Sequence, residues 1–221
     1  MADPYFFKRI RKFQRILQDE AVRRTSVDAL EKRAEFFVDR FQGILPAASR
    51  VLDIGGGWGF YAEPLERRGH QLTVLDVVKP ALQKAPVVIY EGGRFPFPDK
   101  SFDASLMVTM LHHVPDPEAV IREAGRVTRR FLIVVEDLYH HALGRFWTVL
   151  RDRLYNFEFF GHPCQFRKKE EWVALFAKLG YTRVNEEEVY TRLAGLRILN
   201  GILVFEAEIA TPPMEARDDR N

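Results

Sequence analysis

The segment best equipped for chemistry is Val51-Leu52-Asp53-Ile54-Gly55-Gly56-Gly57-Trp58-Gly59. A short apolar run that breaks into glycines predicts a strand turning abruptly into a helix. Glycine tolerates positive φ there and lets backbone come close to a ligand. The N–H groups at the start of the following helix favour an electron-rich ligand group. Asp76 ends the next apolar run, 76 − 59 = 17 residues after the last glycine. A carboxylate in that place can accept both ribose hydroxyls of a nucleoside, because open α/β sheets bind ligands beyond the carboxyl ends of their strands. A dinucleotide is the competing ligand. Its fingerprint needs small residues at 55, 57 and 60, and position 60 is Phe. The chain also has no recognisable hydride-transfer constellation.

A second polar set follows the fourth and fifth expected strands: His112, His113, Glu136, Asp137, His140, His141, His162 and Cys164. His113 and Glu136 are the candidate catalytic residues. His113 would act as a base if the reacting group must lose a proton. Glu136 and Asp137 end a central strand, where they serve chemistry or act as a helix cap or salt-bridge partner. No metal site is expected. His140, His141, His162 and Cys164 fall in irregular segments without i, i+4 spacing. Cys164 is the one cysteine, which excludes an internal disulfide, fits a reducing compartment and reads as a buried thiol.

The elements that must position these groups alternate. Residues 5–17 have helical spacing, with Phe6, Ile10, Phe13 and Leu17 among basic residues. A second helix follows Thr25 and Ser26, either of which could cap it, and ends at Gly43 and Pro46. Strands are expected at 50–54, 71–75, 87–90, 103–110 and 131–135. Helices are expected from the glycine cluster to Arg68, near Pro80, and from Pro117 to about Val127 with Asp116 as cap. Continuous apolar strands alternating with helices predict a doubly wound α/β sheet covered on both faces. Residues 138–167 read as irregular and rich in aromatic rings. A helix at 168–179 and two late strands, around 181–189 and 202–209, complete a single domain over 1–210. Residues 1–45 form an N-terminal helical cap, 138–167 a lid, and 211–221 a frayed polar tail.

Residues 50–137 resemble class I S-adenosylmethionine-dependent methyltransferases, in particular the type-11-like group acting on small molecules. VLDIGGGWG is similar to their first motif, and Asp76 to the acidic residue after their second strand. FPFPDKSFD and MLHHVPDPEAVIREAGRV are similar to two later segments, in the right order. The resemblance implies a Rossmann-like seven-stranded sheet with an antiparallel last strand, and S-adenosyl-L-methionine as cofactor. It implies that Gly55, Gly57 and Gly59 approach the methionine and ribose parts, with Asp53 supporting the loop or the ammonium. Asp76 would hold the ribose hydroxyls, Val77 would line the adenine, and Val108 and Thr109 would offer carbonyls to the methionine end. An Asp-Ala pair of the family is replaced here by Glu91 and Gly92, read as acceptor and backbone donor for the adenine. Leu-His-His is common in the family whatever the substrate, so His113 is not diagnostic of one.

The implied reaction is methyl transfer to a small-molecule acceptor; rings such as Phe146, Trp147, Phe157, Phe159 and Phe160 in the lid suggest that it is aromatic or apolar, or else pack the lid onto the sheet edge. An RNA or protein methyltransferase and a non-catalytic cofactor-binding module are the alternatives. The 221 residues are 47% apolar and 29% charged, with 33 basic against 31 acidic side chains. That composition is globular, and a net charge of +2 gives no global field for nucleic acid. The basic N-terminal helix caps the pocket, or can lie on an anionic membrane surface. No apolar run is long enough to span a bilayer and the N-terminus lacks a signal-peptide pattern, so a cytoplasmic protein is expected.

Overall fold

In the computed structural model, residues 20–80, 83–155, 163–193 and 196–207 are described. Within them the chain runs through α1 (Glu20–Phe41), β1 (Arg50–Ile54), α2 (Ala62–Glu66), β2 (Gln71–Asp76), β3 (Val87–Ile89) and β4 (Phe102–Val108). It continues through α3 (Pro117–Val127), β5 (Thr128–Asp137), α4 (Ala142–Tyr155), α5 (Lys169–Lys178), β6 (Thr182–Leu193) and β7 (Leu196–Glu206). The strands form one seven-stranded sheet in the order β3-β2-β1-β4-β5-β7-β6. Strands β1 to β5 are parallel, and β7 pairs antiparallel with both β5 and β6. The order reverses between β1 and β4, so their carboxyl ends make the switch point where such sheets bind ligands.

Apolar residues run continuously along the strands because both faces are buried. In β5, Leu132 and Val134 join one core with Phe176 of α5 and Ile121 of α3, while Ile133 and Val135 join the other with Phe37 and Phe41 of α1. Phe176 stacks on Phe205 of β7 at 4.0 Å between ring centres, fixing α5 to the antiparallel end of the sheet. Asp116 caps α3 as expected, its Oδ1 accepting the Ala119 N–H at 3.0 Å.

Several local expectations change. Helix α1 is described from Glu20 and runs through Thr25 and Ser26, so neither caps it. The helix expected directly after the glycines shrinks to α2, because Gly55, Gly57 and Gly59 all have positive φ and hold the intervening chain in turns. Residues 77–80 and 83–86 are not helical, and residues 81–82 of the helix expected near Pro80 lie outside the described residues. Strand β5 starts three residues early, at Thr128, whose hydroxyl pairs with that of Ser105 on β4 at 2.6 Å. The lid segment is helical over α4, where the Gly144 N–H donates to His141 Nδ1 at 2.9 Å in the first turn. The helix expected at 5–17, the aromatic residues Phe157, Phe159 and Phe160, and the tail at 211–221 lie outside the described residues. No helix among the described residues is long and apolar enough to cross a membrane.

Candidate cofactor and acceptor site

The glycine turn is pinned from both sides of the switch point. Gly55 donates its N–H to the Leu75 carbonyl at 2.7 Å, tying the end of β1 to β2. Gly59 closes onto Gly56 and Ala62 onto Gly59, at 2.9 and 3.1 Å, which turns the chain into α2. Gly57 then donates to Asp76 Oδ2 at 3.0 Å, while Val78 donates to Asp76 Oδ1 at 3.0 Å. The sequence therefore brings together the two elements it singled out, Gly55–Gly59 and Asp76. Each Asp76 oxygen keeps acceptor capacity, since a carboxylate offers about four lone-pair sites. Burial raises the Asp76 pKa, and backbone N–H groups of Val78, Gly57 and Val77 work against that rise.

Asp53 lies beneath the turn, almost fully buried, and its Oδ2 has no hydrogen-bond partner. Burial, with the Asp76 charge adding to it, pushes its carboxyl up to about 7. Gly56 lies directly over that carboxylate, and any side chain there would collide with it. At Gly57, by contrast, nothing lies within 4 Å of where a Cβ would be, so the turn leaves bare main chain open at the rim. Gly92 has a φ of +90° and the same open surroundings. Glu91 and Val77 are exposed beside it in sequence and at the end of β2, respectively. Val108 ends β4, and Thr109 has a φ of +47° with its N–H donated to the Val135 carbonyl at 2.6 Å. An orphaned buried carboxylate oxygen, an open glycine rim and an acidic side chain with acceptor capacity left fit an adenosyl ligand carrying a positive charge.

The histidine–acid groups divide differently from the sequence reading. Glu136 is fully buried. Its Oε1 accepts the Met110 and Leu111 N–H groups at 3.1 and 2.8 Å, and its Oε2 pairs with His112 Nδ1. Glu136 thus caps the tight turn Leu111–His113, the structural alternative raised for it. His112 is as deeply buried and stacks on Phe166 at 4.2 Å. Burial opposes its charge, yet Glu136 and Asp152 outweigh burial and raise its pKa to about 10. His113 is half-buried, with Nε2 at 3.6 Å from Asp152 Oδ1.

Asp137 is held in a separate network. Arg151 reaches its Oδ2 at 2.5 Å, Asn200 Nδ2 and Arg33 reach its Oδ1 at 2.6 and 3.3 Å, and Thr191 donates to Asn200 Oδ1 at 2.6 Å. Arg33, Tyr61, Arg151, Asp152 and Asn200 were not singled out from sequence. Arg151 and Asp152 sit on α4, a segment read as irregular, so no helical register was available to aim them inward. His140 is exposed and faces Glu188 at 3.4 Å. His162 lies outside the described residues, and Cys164 is half-buried rather than buried. His112, His113 and Asp152 bring ligating atoms within 4.8 Å of one another, a set the sequence did not suggest. Phe146 and Trp147 of α4 are exposed, which removes them from the expected ring-lined underside of the lid.

Residues 52–131 match the methyltransferase-domain family profile. The matched stretch takes in β1 to β4, α3 and the glycine–acid rim, the part of the seven-stranded sheet that forms the switch point. A ubiquinone biosynthesis O-methyltransferase of Chromobacterium violaceum is 35% identical over 106 residues, covering 42% of this chain and 44% of that protein. A chloroplastic 2-methyl-6-phytyl-1,4-hydroquinone methyltransferase of Oryza sativa subsp. japonica is 31% identical over 152 residues, 63% of this chain and 41% of that protein. The chain thus spans less than half the length of these curated relatives. Among solved structures, a 1,6-didemethyltoxoflavin-N1-methyltransferase of Burkholderia thailandensis, bound to S-adenosylhomocysteine, superposes with a TM-score of 0.59 at 17% identity. That superposition covers 93% of this chain and 91% of the other, and it shows the shared fold.

Proposed function

We propose that the protein transfers a methyl group from S-adenosylmethionine to a small acceptor, aromatic or apolar in its main part. One observation carries the reading: Asp76 stands at the switch point, bonded to the Gly57 N–H, with lone pairs left over beside an open glycine rim. When bound, the cofactor supplies a methyl group already activated on a sulfonium. Asp76 accepts the ribose hydroxyls. Gly55, Gly57 and Gly59 admit the ribose and methionine parts against bare main chain, and Asp53 backs them with negative charge. Val77 lies along the adenine, Glu91 accepts from its amine and Gly92 donates to its ring. Val108 and Thr109 offer carbonyls to the methionine ammonium.

The acceptor is brought in line and kept dry, and alignment of this kind supplies roughly 7–11 kcal/mol. His113 Nε2 holds the proton of a hydroxyl acceptor, and Asp152 steadies the resulting imidazolium. The relatives that act in quinone and hydroquinone methylation support an acceptor of that chemical type. The test is twofold. Calorimetry should detect S-adenosylhomocysteine binding that Asp76→Ala weakens by about 1.5–3 kcal/mol for each hydrogen bond lost. Isotopic methyl transfer should then be found with phenols or quinols. Unaltered affinity in Asp76→Ala would contradict the ribose role.

A further inference from the structure

An open cavity of about 510 Å³ lies between α1 and β6. Its size falls within the usual range for small-molecule sites, roughly 300–1,000 Å³. Three cations line it, Lys32, Arg33 and Arg192, against the single acid Asp28. Phe36 and Tyr190 supply aromatic surface. The cavity lies toward the edge of the sheet where the parallel strands have their carboxyl ends. Asp137, the last residue of β5, pairs with Asn200, and Tyr190 to Arg192 pair with Leu199 to Arg197, beyond that strand end.

Arg33 is the informative residue. Its side chain is 10% exposed and its buried Nε has no hydrogen-bond partner. Its contact to Asp137 is the longest of three made to that carboxylate, at 3.3 Å, and Arg151 and Asn200 satisfy Asp137 without it. The guanidinium is therefore buried beside a cavity with donors to spare. An orphaned donor in such a place is costly unless a ligand fills it. Arg33 reaches Asp137 at the end of β5, and its charge is also felt by Tyr61, just after the glycine turn.

We infer that this cavity takes an anionic group of the acceptor, a carboxylate or a phosphate attached to an aromatic or apolar body, with Arg33 as its principal anchor. The inference rests on the methyl-transfer reading and narrows its substrate class. Arg33 presents a planar fork suited to such anions. Lys32 and Arg192 add charge at the mouth, and Phe36 and Tyr190 receive the body of the molecule.

The test uses the full chain loaded with S-adenosylhomocysteine. Hydroxylated aryl carboxylates, their primary amides and the corresponding aryl phosphates are compared by calorimetry. The expected result is at least one acid bound roughly tenfold or more tightly than its neutral amide. That preference should vanish in Arg33→Met, return in part in Arg33→Lys, and shrink with added salt. Which acid wins separates a carboxylate from a phosphate acceptor. Lys32→Met and Arg192→Met, at exposed positions, should each reduce the preference severalfold even if Arg33→Met fails to fold. Equal binding of acids and amides, binding of neither, or a preference that survives Arg33→Met would overturn the inference. If S-adenosylhomocysteine itself does not bind, the methyl-transfer reading fails instead.

Discussion

Gly56 and Asp53 show how narrowly the loop is specified. Gly56 has no positive φ to demand glycine, so its reason is contact: a Cβ would strike the buried Asp53 carboxylate. Gly56→Ala should therefore destabilise the protein by about 1–3 kcal/mol, as overpacking commonly does, and weaken S-adenosylhomocysteine binding. Denaturant unfolding with calorimetry checks both, and a neutral substitution would contradict the packing argument. Asp53 also leaves a signature in pH. Burial raises its pKa to about 7 in the fold, above the ordinary carboxylate value near 3.8. The native state then binds more protons than the unfolded one between about pH 4 and pH 7, so stability must fall as pH rises through that window. Asp53→Asn should flatten that part of the stability profile in ligand-free protein. An unchanged slope in thermal unfolding across the window would show that Asp53 is not buried as described.

Helix α4 is tied to the sheet by charge more than by its rings. Asp152 faces His112 and His113 at 3.7 and 3.6 Å, and Arg151 binds Asp137, while Phe146 and Trp147 are exposed. Asp152→Asn should loosen this attachment by about 1–3 kcal/mol. Hydrogen exchange should accelerate over α4 and leave α1 unchanged; uniform protection would refute the tether. Because the raised His112 pKa belongs to the folded state, its contribution is fully present below about pH 6.5 and fades as pH climbs toward 10. This element also marks the limit of sequence reading. Strands β1, β4 and β5 were legible because burial on both faces demands unbroken apolar runs, and α3 because Asp116-Pro117 is a strong start signal. Helix α4 was not, since its inward residues are Arg151 and Asp152 and its exposed ones are rings, which inverts the usual pattern. The burial of Glu136 escaped for a related reason: its partners are the N–H groups of Met110 and Leu111 and the His112 ring, contacts that no local pattern records.

The molecule as a whole couples these parts through the sheet. The rim formed by Gly55–Gly59 and Asp76 exists only when β1 and β2 are paired in register, Ile54 against Leu75, so a ligand held there binds the folded state alone. Linkage then fixes the size of the response: at a hundredfold excess over Kd the ligand adds about 2.7 kcal/mol of stability. For a chain of this size each kcal/mol moves Tm by roughly 2–4 °C, so S-adenosylhomocysteine should raise Tm by about 5–10 °C. Asp76→Ala removes charge-assisted bonds worth about 1.5–3 kcal/mol each, so at the same ligand concentration its shift should fall to about half or less. Each protein is compared with its own ligand-free Tm, because the substitution also leaves the Gly57 and Val78 N–H groups without their acceptor. Equal shifts in the two proteins would move the nucleoside away from the β1–β2 rim. A shift in neither would remove the cofactor from this fold.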